Sequence, residues 1–187
     1  MTNTEAVRRV VDTLESLAIP YMVVGSFSSN AYSIPRATQD ADFVIQLGDI
    51  PLARVVSELG DGYLLDPQMT FETITGTYRH VIRLSGSAFK IELFLLGDDA
   101  HDQERFRRRV RREGADGPFW LPTAEDVVVW KLRWSKQGRR NKDVDDVRNV
   151  LAVQDERLDF DYIHRWCDVH GTRALLDQIR ATIPRDL

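Results

Sequence analysis

Asp40 and Asp42 are carboxylates two positions apart, followed by the apolar run Phe43-Val44-Ile45. In a β-strand residues i and i+2 project from the same face, so the two acids would stand side by side. Held that close they repel each other unless a cation compensates, and Mg²⁺ suits one or two carboxylates completed by substrate phosphates. Solvated acids on an exposed strand edge or turn would give the same spacing. Fourteen positions before Asp40, the apolar stretch Tyr21 to Val24 runs into Gly25-Ser26. A Gly-Ser pair there places backbone N–H groups and a hydroxyl at the start of a helical turn, an arrangement that cradles phosphate. A third acid, Glu92, lies between Ile91 and Leu93, where an unpaired carboxylate would be costly. On a strand beside Asp40 and Asp42 it would complete a ligand set or take a proton from an attacking hydroxyl.

These residues resemble the pattern of the nucleotidyltransferase superfamily: hydrophobic-Gly-[Gly/Ser], a gap, two acids flanking one residue, and a third acid on a later strand. The matching segments are Val24-Gly25-Ser26, Arg36-Ala37-Thr38-Gln39-Asp40-Ala41-Asp42-Phe43 and Lys90-Ile91-Glu92-Leu93. Within the superfamily the chain looks most like the AbiEii-type and MenA-like toxin nucleotidyltransferases. Those add a lysine-bearing helix and a later Asp-h-x-Asp-h segment, here Glu125 to Leu132 with Lys131, and Asp143-Val144-Asp145-Asp146-Val147. Two departures stand out: Glu92 occupies a position where Asp is commoner, and the small Ala41 separates the paired acids.

The resemblance implies an α/β (α+β) chain with the minimal nucleotidyltransferase fold, a mixed β-sheet with flanking helices, followed by a helical C-terminal part. It implies Mg²⁺-dependent transfer of a nucleoside monophosphate from a nucleoside triphosphate to an acceptor hydroxyl, with Mn²⁺ as a substitute metal and pyrophosphate released. Asp40, Asp42 and Glu92 would hold the metal, with Glu92 activating the acceptor. Gly25 and Ser26 would cradle the phosphates, Lys131 and Arg36 would neutralise their charge, and Asp146 would support Lys131. The implied acceptor is RNA, a tRNA 3′ end, and the implied role is that of a toxin countered by an antitoxin protein. A small-molecule antibiotic acceptor is the alternative, because antibiotic nucleotidyltransferases share the pattern. A non-catalytic nucleotide- or protein-binding module is the third reading.

The elements that must carry these residues are read from periodicity. Val10, Val11, Leu14 and Leu17 predict an amphipathic helix over 5–17. Strands are expected at 21–25 and 40–46, with helical turns over 28–33 stopped by Pro35. Leu52, Val55, Val56 and Leu59 predict a helix over 51–59, and 80–85 and 89–96 around Gly86 predict a hairpin. Pro122-Thr123-Ala124-Glu125-Asp126 reads as a helix start, Thr123 capping with Asp126 as its box partner. Helices are expected at 124–136, 143–153, 160–169 and 172–182. The expected organisation is one compact unit over 1–187, its character changing near residue 100 from α/β core to helical part.

Lys131 has a separate physical argument. On its helix Val127, Val128 and Trp134 fall within about 60° of it, so the ammonium lies in the apolar stripe. It must reach solvent past the core or find a partner. Asp143 and Asp146 share a face of the next helix, but acids in a first turn are also favourable for the helix dipole alone.

Hydrophobic residues are 43% of the 187 and charged residues 29%, enough for a buried core and unlike a disordered chain. The net charge of −4 conceals a division, because residues 101–142 hold 12 Lys and Arg against 6 Asp and Glu. That local surplus keeps a polyanionic partner in play, whereas the global charge taken alone argues against one. Six of those cations lie between Lys131 and Lys142 and six between Arg105 and Arg112. Trp120, Trp130 and Trp134 offer either stacking platforms or core. The four histidines do not cluster with Cys167 at zinc-ligand spacing. No apolar stretch approaches the roughly 20 residues of a membrane span. With one cysteine and no apolar signal region near the N-terminus, the reducing cytoplasm is the expected compartment.

Overall fold

The computed structural model describes residues 2–74, 76–114, 117–138 and 141–184. Its first helix, α1 (Asn3–Ser16), starts at a capping box in which the Thr2 hydroxyl accepts from the Glu5 N–H and the Glu5 carboxylate accepts from the Thr2 N–H. Val7, Val10, Val11 and Leu14 form its buried stripe, the helical spacing expected of an apolar face. The chain then enters β1 (Tyr21–Val24), the short helix α2 (Gly25–Asn30), β2 (Asp40–Ile45) and α3 (Leu52–Leu59).

Three strands follow, β3 (Tyr63–Leu65), β4 (Thr70–Glu72) and β5 (Thr77–Leu84), then β6 (Lys90–Leu95). The sheet order is β1-β2-β6-β5-β3, with β4 also pairing with β5. Among the described residues β2 and β6 run parallel and the other pairings of this sheet are antiparallel, so the sheet is mixed. One face packs Tyr21, Phe43, Ile82 and Ile91 against Val10 and Val55 of the helices. On the other face Met22, Val24 and Val44 pack with Phe106, and Phe94 and Trp120 lie against them.

Phe106 belongs to α4 (Ala100–Arg108), and Trp120 to the hairpin of β7 (Val110–Gly114) and β8 (Gly117–Leu121). Neither element was expected from periodicity, nor were β3 and β4. Arginines conceal the first: Arg105 is 1% exposed and its Nε donates to Asp102 at 2.6 Å. A charge buried with its partner occupies a core position without registering as apolar.

The remaining helices are α5 (Ala124–Gly138), α6 (Asn141–Gln154), α7 (Phe160–His170) and α8 (Arg173–Arg180), with a 3₁₀ turn at Asp155–Arg157 before α7. All four expected helices are present. The expected box at α5 takes a different form. The Thr123 hydroxyl accepts from the Asp126 N–H at 3.3 Å and donates to the Asp126 carboxylate at 2.9 Å, and Asp126 also accepts from the Tyr162 hydroxyl.

Contacts divide the chain into two units, Met1–Phe27 with Ala37–Pro122, and Ser28–Arg36 with Thr123–Leu187. α4 and the β7–β8 hairpin supply core residues to the first unit. The segment 28–36 departs from its sequence neighbours: Tyr32 joins the core of Val128, Leu132, Val147 and Leu151, and Gln154 donates to its carbonyl at 2.8 Å. Among the described residues no helix is long and apolar enough to cross a membrane.

Candidate active site

In the first unit, strand register decides what meets what. Val24 is paired with Asp42 and Asp42 with Glu92. Asp42 thus stands between the strand that leads into Gly25 and the strand that carries Glu92, while Asp40 lies two residues along and opposite Lys90. Both aspartates are partly exposed, and Glu92 and Ser26 are buried. Thr38 orients the first acid: its hydroxyl lies 2.8 Å from a carboxylate oxygen of Asp40 and 3.1 Å from the Asp40 carbonyl.

Gly25 is dictated twice over. Its φ is +63°, and a Cβ built there would lie 1.9 Å from Oδ2 of Asp42. The backbone at the start of α2 comes this close to the carboxylate only because no side chain intervenes. Gly25→Ala is accordingly expected to lose about 1–2 kcal/mol of stability from the left-handed conformation alone, and to displace Asp42. Denaturant unfolding measures the first, and any metal-dependent activity of the same variant reports the second. Wild-type stability in that variant would contradict the close approach.

Glu92 accepts from Arg79 Nη1 at 3.1 Å and from the Lys90 ammonium. Lys90 is two positions from Glu92 on the same strand, and strand residues i and i+2 share a face. Arg79 is brought across by the β5–β6 register. Among the described residues no three His, Cys, Asp or Glu side chains gather as a cation cage. The pair Asp40 and Asp42 is nevertheless a donor set that suits Mg²⁺, which takes one or two carboxylates and fills its shell with phosphate oxygens and water.

The second unit contains the other nominated residues in one network, buried at Lys131 and Asp146 and half-exposed at Arg36. Lys131, 7% exposed, reaches Asp143 at 2.9 Å and Asp146 at 2.8 Å. Arg36 Nε and Nη2 donate to the two oxygens of Asp146 at 2.8 and 2.9 Å. Arg36 is itself held by Asn30, whose amide donates to the Arg36 carbonyl at 2.8 Å and whose oxygen accepts the Arg36 N–H at 3.0 Å. Burial pushes the Asp146 carboxyl up, but the hydrogen bond from Arg36 and the charge of Lys131 outweigh it and hold the group below the usual carboxylate range. Asp145 pairs with Arg148 on the exposed side of α6.

The basic run of 101–142 is shared between the two units. Arg105 and Lys131 are neutralised inside their units by Asp102 and by the two aspartates. The Arg109 guanidinium lies 4.3 Å from the Phe106 ring centroid and 5.1 Å from that of Trp120. Arg133 lies over Trp130, itself buried, at 5.4 Å. Arg139 and Arg140 of the same run lie outside the described residues.

No protein-family profile and no curated protein matches the chain. Solved structures do. The antibiotic-resistance factor ANT(2'')-Ia, solved in solution, matches over 97% of this chain and 99% of its own, at 13% identity and a TM-score of 0.61. An antigenic nucleotidyltransferase-like protein from Paracoccidioides brasiliensis matches over 97% and 93%, at 16% identity and a TM-score of 0.57. The lincosamide antibiotic adenylyltransferase LnuA, solved with lincomycin bound, matches over 80% and 96%, at 11% identity and a TM-score of 0.54. The chain has the nucleotidyltransferase fold, a mixed sheet with flanking helices.

Proposed function

We propose that the protein transfers a nucleoside monophosphate from a nucleoside triphosphate to the hydroxyl of an acceptor. One observation carries this reading: Asp42 is placed against the side-chain-free Gly25 on one side and in register with Glu92 on the other. In the reaction the acceptor oxygen forms a bond to the α-phosphorus and the bond from that phosphorus to the bridging oxygen breaks. The electron pair of the broken bond leaves on pyrophosphate. Glu92 is assigned to receive the hydroxyl proton on the carboxylate that also accepts from Arg79 and Lys90. Gly25 and Ser26 cradle the departing phosphates. Asp40 and Asp42 would hold a divalent cation, Mg²⁺ or Mn²⁺, which when bound neutralises phosphate charge and stabilises the attacking and leaving oxygens. Glu92 is a third ligand only if it exchanges a cation for the metal. In the second unit Asp146 holds both Lys131 and Arg36.

The acceptor in this reading is an RNA 3′ end, tRNA included, and the biological role is that of an AbiEii-type toxin restrained by a partner antitoxin. The lysine-bearing helix and the Asp143–Asp146 segment support it. A second reading, transfer to an antibiotic, is favoured by the likeness to ANT(2'')-Ia and LnuA over nearly the full length of each. Incubation with labelled nucleoside triphosphates and Mg²⁺ decides between them, using total RNA beside aminoglycosides and lincosamides. Label in RNA is the expected result. Label entering only a drug would move the assignment to the second reading, and no label in any acceptor would sink nucleotidyl transfer.

A further inference from the structure

In the transfer proposed above, the two substrates approach different strands of the sheet. In an in-line displacement the incoming oxygen and the leaving group lie on opposite sides of the phosphorus. With the departing phosphates on the Gly25 side of Asp42, the acceptor approaches from the side of β6 and β5. On that side the same face presents Lys90, Glu92 and Arg79, joined by the ion pairs at Glu92, while Asp40 and Asp42, assigned to the cation, lie beside Lys90 and Glu92 on β2. Arg83 is neutralised by Asp66 at 2.8 Å and adds no free charge.

Arg79 has five N–H donors; Nη1 is committed to Glu92, and the side chain as a whole is 28% exposed, so part of the guanidinium faces solvent. The Lys90 side chain is 40% exposed. A polycationic acceptor would be repelled by this pair, whereas an anion would complete it.

We propose that Arg79 and Lys90 bind an anionic group on the acceptor, so that the attacking hydroxyl belongs to a molecule with a phosphate ester close to that hydroxyl. A phosphate one ribose away meets this requirement, as at the 3′ end of RNA or in a nucleoside 5′-monophosphate. The inference rests on the transfer reaction proposed above and adds to it the residues that select the acceptor.

The test compares wild type with Arg79→Gln, Lys90→Gln and Arg79→Lys. The acceptors are an RNA oligonucleotide, a nucleoside 5′-monophosphate, the unphosphorylated nucleoside and an aminoglycoside. Transfer is expected only to the phosphorylated acceptors, and the two phosphorylated arms separate polymer from mononucleotide. Each Gln variant should raise the acceptor KM about tenfold, with the KM for the nucleoside triphosphate unchanged and Arg79→Lys recovering part of the loss. A purely structural role for Arg79 at Glu92 would instead lower kcat and leave the acceptor KM unmoved. Equal transfer to phosphorylated and unphosphorylated acceptors, or transfer to the aminoglycoside alone, would overturn the inference and leave the transfer reaction standing. If no acceptor is labelled, the transfer reaction fails. Equilibrium titration with the oligonucleotide then decides the anion site separately: binding weakened in both Gln variants and by salt upholds it, and binding equal in all variants refutes it.

Discussion

Asp42→Asn is expected to lower nucleotidyl transfer by on the order of 10³-fold, equivalent to about 4 kcal/mol of transition-state stabilisation, without loss of stability. The carboxylate is partly exposed and shares a face of β2 with Asp40, so the isosteric amide removes like-charge repulsion and leaves the packing against Gly25 intact. The amide cannot supply the negative charge that a divalent cation requires. Steady-state kinetics across a range of Mg²⁺ concentrations, beside a denaturant titration, checks both halves. Activity near wild type would remove Asp42 from the reaction. A large loss of stability would make it a structural residue instead.

Lys131→Met should destabilise the unit built from α5 to α8 by about 3–5 kcal/mol, the range for removing one partner of a buried ion pair. Asp143 and Asp146 are 1% and 3% exposed. Both would lose the ammonium, and only Asp146 would keep the Arg36 fork. Three of the four tryptophans, Trp130, Trp134 and Trp166, belong to this unit, so tryptophan fluorescence in guanidinium reports the change. The double variant Lys131→Met with Asp143→Leu should recover much of the loss, since a buried pair replaced by apolar side chains is often neutral or better. Triphosphate affinity of that double variant separates the two roles of the lysine: affinity equal to wild type would leave Lys131 with structure alone.

The two predictions divide along what could be read before folding. A period of two put Asp40 and Asp42 on one face, and the apolar neighbours of Glu92 marked it as a strand acid that needed a partner. The stripe containing Lys131 left two outcomes, reaching solvent or finding a partner, and the structure shows the second, with Asp143 and Asp146. Helix periodicity over 124–182 was equally plain, because local spacing and caps carry that signal. Elements of three residues such as β3 and β4 lack the length to show a period. In α4 the buried Asp102–Arg105 pair breaks the apolar one.

Residue types and spacing along the chain therefore determined the paired acids, the Gly-Ser turn, the lysine in an apolar stripe and the mixed character of the fold. Tertiary structure alone decided the partners. That β6 lies parallel to β2 and antiparallel to β5 is a matter of register, and register brought Arg79 to Glu92 from 13 positions away. The same holds for Arg36, separated from Asp146 by 110 positions, and for segment 28–36, which packs with helices that follow it by about a hundred residues. Periodicity reports which side of an element meets the core, whereas pairing across strands and between distant segments depends on the free energy of the whole packed arrangement.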